Sequence, residues 1–397
     1  MQQTSTRAGK YVDQPTGYRA FVPNPLPPEP KIQYDEDLIT LLSNADRALG
    51  RLDGSTDALP NPDLFVMMYV RKEAVLSSQI EGTQASLNDI LEVESHLHAT
   101  NVHADVGDIV NYVYAMNYGM ERLRTLPISL RLVCEIHEKL MRNTRGSELH
   151  PGEFRRSQNW IGPQGCNLTN ARFVPPNPED MKSALENWEL YLHDETPSPL
   201  LVKIGIAHAQ FETIHPFLDG NGRVGRLLIT FLLCQQNILK RPLLYLSYYF
   251  KQNRLEYYDR LQAIREKGDW EGWLKFFLRG VASVSNEASV TAKAIIELRE
   301  RQRAIIQEQF GRVTSSGLAL HESLFEKPYV NTILAKEITS LEFPAANRLL
   351  ANMLSAGILR EITGKGRNRV YSHWQYLNLF TDQEMEARDV LSTPTEN

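Results

Sequence analysis

Residues His215 to Arg226, His-Pro-Phe-Leu-Asp-Gly-Asn-Gly-Arg-Val-Gly-Arg, place a general base beside a phosphate-binding turn at the junction of two helices. Upstream, Pro199 to Ile214 reads as a helix, with Pro199 suited to its first turn and Leu201, Ile204, Ala207, His208 and Phe211 on one side. His215-Pro216 ends that helix, since a residue before proline is biased out of the helical region. Gly220, Asn221 and Gly222 can adopt positive φ, so successive backbone N–H groups can converge on an anion where a second helix is expected to begin at Arg223. Arg223 and Arg226 lie three apart and share a face, where two guanidiniums reach phosphate oxygens. Asp219 would repel the same anion unless a divalent cation lay between them, so the motif implies Mg²⁺. His215 is left as the proton acceptor, with an imidazole whose ordinary pKa lies near neutrality.

A lone histidine before a turn is ordinarily a surface or core residue, and Gly-Asn-Gly alone is an ordinary turn. Taken jointly, nine constrained positions arise by chance in a chain of this length with a probability on the order of 10⁻⁹. The stretch resembles the signature of the Fic family, His-Pro-Phe-x-Asp/Glu-Gly-Asn-Gly-Arg-x-x-Arg, and meets every fixed position, with Leu218, Val224 and Gly225 in the three variable places. The resemblance implies a nucleotidyltransferase that moves AMP from ATP to a Ser, Thr or Tyr hydroxyl of a protein. By the same resemblance His215 deprotonates the hydroxyl, Asp219 holds Mg²⁺, and Gly220 to Gly222 with Arg223, Val224, Gly225 and Arg226 receive the nucleotide phosphates.

A second signal lies in Ser77-Ser78-Gln79-Ile80-Glu81-Gly82. Asn61-Pro62 reads as the start of a helix that carries Leu64, Met67, Met68, Val70, Arg71, Val75 and Leu76 to Glu81, with Gly82 as its stop. A carboxylate in a last helical turn faces the negative end of the dipole, so Glu81 calls for a cation opposite. Glu-Gly helix ends are also common and harmless. Fic proteins with an inhibitory N-terminal helix are similar here, carrying Ser/Thr-x-x-x-Glu-Gly/Asn, which Ser77, Glu81 and Gly82 match. That likeness implies a pair between Glu81 and Arg226 that blocks productive ATP placement, and equally admits a Glu81-oriented water that removes AMP from a target.

Hydrophobic residues at 42% and charged residues at 23% suit a chain able to bury a substantial core, and 397 residues suit more than one domain. A net charge of -5 argues against a globally basic nucleic-acid binder. Cys134, Cys166 and Cys234 are odd in number and widely spaced, which fits neither a disulfide framework nor a CxxC metal site. With no apolar leader and no membrane-length apolar run, the expectation is a cytoplasmic protein without a membrane partner.

The expected fold is mostly α: a Fic-type helical bundle with a small β-hairpin flap, plus a C-terminal winged-helix domain. Residues 1–34, rich in proline, are expected to form an extended arm. An N-terminal helical region follows over 35–125, with helices at roughly 35–52, 62–81, 86–98 and 105–124, and a further helix at 129–143 opens a catalytic core over 126–285. Within the core, Gln158 to Ile161 and Ala171 to Val174 read as the two strands of a hairpin. In the Fic family a hairpin flap at this position aligns the target by strand addition, so residues 158–174 are the expected docking site of the target protein. Tyr245, Tyr248, Tyr249, Tyr257 and Tyr258 form an aromatic cluster that packing alone could explain, while the family likeness makes Tyr248 and Tyr257 candidate base contacts. Trp270 to about Phe310 reads as long helices broken near Gly280, covering a linker over 286–312. In 313–380, helices at Thr332–Thr339 and Pro344–Ser355 precede strands Ile358–Ile362 and Arg369–Ser372 around the turn 364–367, a winged-helix pattern. Asn347, Arg348, Lys365, Arg367 and Arg369 could meet DNA phosphates, and the apolar second helix equally suits protein contact. Residues 381–397 read as a flexible tail. Homodimerisation and self-modification follow from the family likeness; the competing readings are a DNA-binding regulator with a nucleotide-sensing Fic domain, and transfer of another phosphate-linked group.

Overall fold

Two helices that are apolar almost all round flank the His215 loop, and such helices belong inside a bundle. Leu200–Ile214 is buried from Leu201 to Ile214 except at Lys203, and Asn221–Gln235 is buried through most of its length. The computed structural model describes residues 7–57, 62–94, 105–142, 148–163, 165–364 and 368–380. In chain order its elements begin with strands β1 (Gly9–Asp13) and β2 (Arg19–Pro23), then helices α1 (Glu36–Asp57), α2 (Pro62–Ile80), α3 (Leu87–Glu94), α4 (Val106–Arg122) and α5 (Leu130–Leu140). There follow α6 (Pro178–His193), α7 (Leu200–Ile214), α8 (Asn221–Gln235), α9 (Ser247–Gln252), α10 (Arg254–Lys267) and α11 (Trp270–Gln309). The last group is α12 (Thr314–Glu326), β3 (Tyr329–Val330), α13 (Thr332–Thr339), α14 (Phe343–Ser355), β4 (Arg360–Glu361) and β5 (Tyr371–Ser372).

These residues fall into two compact units, one made of the chain up to Asp53 with Glu73–Gln84 and Gly107–Asn286, the other of Gly54–Lys72, Ala85–Val106 and the chain from Glu287. In the first unit α7 and α8 form the centre. Trp188 of α6 donates to the Ala207 carbonyl at 2.9 Å and Trp273 of α11 to the Gly205 carbonyl at 2.8 Å, so both large rings lie on the α7 backbone. Helix starts follow local chemistry: Ser129 accepts from the Leu132 N–H, and Asn177 accepts from the Glu179 and Asp180 N–H groups ahead of Pro178.

Several boundaries differ from the sequence reading, each for a visible reason. The proline-rich arm is not extended throughout, because residues 9–23 fold into an antiparallel hairpin with Tyr11 opposite Phe21. Strand β2 buries the adjacent Ala20 and Phe21 completely, one on each face, while the prolines crowd into the segment that follows. The 158–174 segment, where Gln164 lies outside the described residues, carries a single antiparallel bridge between Ile161 and Phe173 and no regular strand pair. Pro163 and Pro175 cannot donate to a ladder, which limits the pairing. Helix α11 runs unbroken through Gly280, where a Cβ would come within 2.6 Å of the Tyr249 ring, so this glycine serves a close approach and no kink. Helix α8 starts at Asn221, two residues before Arg223, because Gly220 at φ 75° already caps it. The expected helices 86–98 and 129–143 are described as Leu87–Glu94 and Leu130–Leu140; residues 95–98 and 143 lie outside the described residues.

In the second unit Ile306, Leu320, Leu324, Val330, Leu349, Leu350, Met353 and Ile358 share one apolar core. Three short antiparallel strands stand in the order β3-β5-β4 beside α13 and α14, with Tyr371 opposite both Val330 and Glu361. Lys365, Gly366, Arg367 and the 381–397 tail lie outside the described residues. Beside this core, the buried Gln302 Oε1 accepts from His321 Nε2 and His373 Nε2, each at 2.9 Å. Both rings therefore carry their hydrogen on Nε2. Burial holds the His321 pKa down to about 4 and that of His373 to about 3.

Because these pKa values lie below the ordinary value in an unfolded chain, the two histidines contribute full stability above about pH 6.5. As pH falls from there toward about 4, the unfolded chain takes up protons that the folded core excludes, at a cost of about 1.4 kcal/mol per pH unit for each ring. Urea midpoints measured across this range should fall in the native chain and fall less steeply in a His321→Asn/His373→Asn variant; equal slopes would disprove the assignment.

Candidate active site

His215 follows α7 at φ 50° and ψ 61°, the left-handed region that costs a non-glycine residue about 1 kcal/mol. The surrounding side chains hold it there. Arg155 Nε donates to the His215 carbonyl at 3.0 Å, the Arg155 N–H to the Pro216 carbonyl at 2.9 Å, and Asn159 Nδ2 to the His215 and Phe217 carbonyls at 3.3 and 2.8 Å. From the other side Asn221 closes the loop on itself, its Oδ1 accepting from the Phe217 N–H and its Nδ2 donating to the Phe217 carbonyl, both at 2.8 Å. Burial, then the Arg265 and Arg155 cations, lower the His215 pKa to about 3 against the Glu212 carbonyl and Glu81, which act to raise it. The imidazole is thus neutral near pH 7. Nδ1 is its buried nitrogen, which leaves Nε2 to take a proton.

The next turn is held by His137. Gly152 N–H donates to its Nδ1 at 2.8 Å, so Nε2 carries the hydrogen and donates to the Asp219 carbonyl at 3.0 Å. Its ring stacks on Phe217 with centroids 3.7 Å apart, and burial lowers its pKa to about 4, which keeps it neutral. Gly220 supplies the one left-handed step, whereas Asn221 and Gly222 are already helical, a correction to the three-residue nest expected from sequence. The anion-facing end is therefore Gly220 plus the N-terminus of α8. Asp219 accepts from the Gly220 N–H at 2.6 Å, and its side chain is 42% exposed. Among the described residues no group of three His, Cys, Asp or Glu side chains could enclose a metal. One exposed carboxylate beside a helix N-terminus suits Mg²⁺, which takes one or two carboxylates and fills its shell with water and substrate oxygens.

Arg223 and Arg226 are both buried, and one carboxylate spans them: Glu81 Oε1 lies 2.8 Å from Arg226 and Oε2 3.0 Å from Arg223. Glu81 comes just after α2, in a turn closed by its own N–H on the Ser78 carbonyl, with Gly82 at φ 106°. Ser77 completes the grip, its Oγ accepting from Arg226 Nε at 2.7 Å and its carbonyl from the same guanidinium at 2.9 Å. A Cβ on Gly222 would fall 2.5 Å from Glu81 Oε1, so only glycine admits the carboxylate. Burial alone would raise the Glu81 pKa, but Arg226 and Arg223 together hold it below the ordinary value. Nearly one turn further along α8, Gly225 leaves room for the buried Glu212 carboxyl, and Val224 is wholly in the core.

Tyr257 is fully buried, stacked on Phe250 at 4.5 Å, with its hydroxyl on His208 Nε2 at 3.0 Å. His208 Nδ1 donates to the Gly225 carbonyl at 3.0 Å, which fixes that order of donors. Tyr248 is half-buried beside Tyr245 and sits on α9. The structure thus brings His215, Asp219, Gly220, Arg223, Arg226, Ser77 and Glu81 together and sets the Tyr257 ring in the core. Sequence reading missed Arg155, Asn159 and His137. Each acts on backbone carbonyls far along the chain, and no local spacing announces that.

Residues 39–121 match the Fic/DOC family N-terminal model and residues 127–233 the Fic/DOC family model. The protein adenylyltransferase Fic of Drosophila mojavensis is 28% identical over 257 residues, 62% of this chain and 47% of its own. That of Drosophila erecta is 27% identical over 300 residues, 70% of this chain and 56% of its own. The chain spans about half the length of the curated relatives it matches. A crystal structure of a Fic family protein from Desulfovibrio desulfuricans G20 superposes with a TM-score of 0.56 over 86% of this chain and 97% of that one, at 17% identity. No described helix is long and apolar enough to cross a membrane. Over residues 39–233 this chain carries the Fic/DOC family domain architecture, on a mostly helical fold shared with a Fic family structure and with adenylyltransferases among its homologues.

Proposed function

We propose that this chain is a protein adenylyltransferase that moves AMP from ATP to a Ser, Thr or Tyr hydroxyl of a target protein or of itself, and that Glu81 holds it off. The observation that carries the reading is the single carboxylate spanning Arg226 at 2.8 Å and Arg223 at 3.0 Å, beside a neutral His215. In transfer, His215 Nε2 takes the hydroxyl proton as the oxygen bonds to the α-phosphorus, the bond to the β-phosphate oxygen breaks, and pyrophosphate leaves. Gly220 and the α8 N-terminus receive phosphate oxygens, and the two guanidiniums bind the outer phosphates. Asp219 would hold Mg²⁺, which when bound neutralises phosphate charge. With Glu81 in place both guanidiniums are already engaged, so ATP competes with a buried carboxylate. The same carboxylate could orient a water for removal of AMP, and the ratio of the two activities is read by the same variants.

Target docking uses the flap edge left open by this chain's own arm. The Phe21 N–H of β2 donates to the Val174 carbonyl at 2.9 Å, which occupies one edge, while Asn159 ties the other side to the His215 loop. Trp160, 42% exposed, stands on that second side, and an extended segment pairing there would bring its hydroxyl toward His215. Residues 126–285 then form the catalytic core and 286–312 the linker. For 313–380, the order helix, strand, helix, helix, strand, strand supports a winged-helix reading. The exposed face of α14 combines Phe343 and Leu354 with Arg348, which favours protein contact over DNA.

Intact-mass spectrometry after incubation with ATP and Mg²⁺, alone and with a cell extract, tests the core of this reading. Glu81→Gly should raise AMP incorporation about 10- to 100-fold, and adding His215→Ala should lower it about 10²- to 10⁴-fold. No AMP on any protein would overturn the assignment and favour a regulator or another donor. Because the His215 pKa is held near 3, the proton acceptor is in its basic form throughout the neutral range. The kcat/KM of Glu81→Gly, which reports the free enzyme, should therefore show its acidic limb well below pH 6; a limb near 6.5 would mean a solvated imidazole. Trp160→Ala should raise the KM for a protein target and leave the KM for ATP unchanged, and a matched rise in both would remove Trp160 from the docking edge.

A further inference from the structure

Two turns before Glu81, the same helix buries a second carboxyl that the transfer chemistry does not use. Glu73, Ser77 and Glu81 are spaced four residues apart and so lie along one stripe of α2 and the turn that follows it. Glu73 is 3% exposed. Its Oε1 accepts from the Tyr112 hydroxyl of α4 at 3.2 Å and from Ser247 Oγ, and its Oε2 accepts from the Ser247 N–H at 3.1 Å. Ser247 is the first residue of α9. A second tie joins the same two helices further along, where Lys251 of α9 donates to Gln79 Oε1 at 2.6 Å. The polar groups form a continuous line from Ser247 through Glu73 and Tyr112 to Ser77, then to Arg226 and Glu81.

A buried carboxyl with three donors directed at it fixes both the axial position and the rotation of its helix, since any slip would leave all four groups unpaired in the core. Glu81 has to meet two guanidiniums at once, with Gly222 as the gap through which it reaches, so its clasp tolerates little error in either coordinate. We propose that Glu73 is the positioning residue of the Glu81 clasp: by docking α2 on Ser247 and Tyr112 it sets the register that delivers Glu81 to Arg223 and Arg226, and it ties that register to α9. The inference rests on the reading that Glu81 inhibits.

The test uses the full chain with Glu73→Ala, Glu73→Gln, Glu81→Gly and the Glu73→Ala/Glu81→Gly double variant. Two readouts are taken: incorporation of label from ATP labelled at the α-phosphate into the chain, and hydrogen–deuterium exchange of the backbone. Glu73→Ala should raise incorporation on the order of tenfold, the size of an ordinary intramolecular coupling. Glu73→Gln retains one acceptor oxygen but sets an amide against a donor, so it should fall between native and Glu73→Ala, and it carries the test if the alanine variant does not fold. In the Glu81→Gly background Glu73→Ala should change nothing, because no clasp is left to position. Exchange should quicken across residues 74–82 and 247–252 together. Native-level transfer by Glu73→Ala beside an active Glu81→Gly would overturn the proposal, as would an equal gain in both backgrounds. If Glu81→Gly itself transfers nothing, the inhibitory reading fails and exchange alone decides whether Glu73 sets the helix: unchanged exchange over both segments refutes it.

Discussion

A guanidinium buried in a helical core needs acceptors for its charge, and Arg226, matched by the Glu81 carboxylate and by Ser77, is the point from which the first unit is organised. Without partners its charge would carry a desolvation cost of several kcal/mol. Ser77 and Glu81 supply those partners from one segment, which obliges α2 to lie against the start of α8. Gly222 then has to lack a side chain, because the Glu81 oxygen occupies the place a Cβ would take. Glu81 and the two arginines are thus one electrostatic unit.

The His215 loop depends on a different kind of constraint, the satisfaction of backbone groups in an irregular segment. His215 adopts a left-handed conformation that its own side chain does not favour, and Arg155, Asn159 and Asn221 hold it by hydrogen bonds to His215, Pro216 and Phe217. The same arrangement places two cations near the imidazole, Arg155 and Arg265, which together with burial keep it unprotonated. A fixed loop and a ready proton acceptor therefore have a common origin. His137 extends this to Asp219, whose carbonyl is held while its carboxylate stays open.

The second unit follows a separate logic. Its apolar core is built from the end of α11, from α12 to α14 and from strands β3 and β5, and beside it a buried glutamine accepts from two histidines. They make the unit's stability sensitive to mild acid, a property independent of the carboxylate clasp in the first unit.

How much was legible in the sequence follows from the range of each interaction. The His215 to Arg226 stretch was readable because base, nest and arginines are contiguous, so helix periodicity and proline and glycine preferences place them without knowledge of the rest of the chain. Ser77 and Glu81 were readable as a pattern, although nothing local to α2 states which cation they meet. Residues that act across the fold gave no such signal: Arg155, Asn159, His137 and Glu73 work through carbonyls and hydroxyls tens to hundreds of positions away. The arm's hairpin, the unbroken α11 and the early start of α8 were misread for a related reason, since burial of Phe21, the approach of Tyr249 to Gly280 and the cap at Gly220 override local propensity. Sequence by itself determined which groups could handle a proton and a phosphate. Only the tertiary structure decided that a carboxylate already sits between the arginines and that the base is neutral, because both depend on charges brought together by burial.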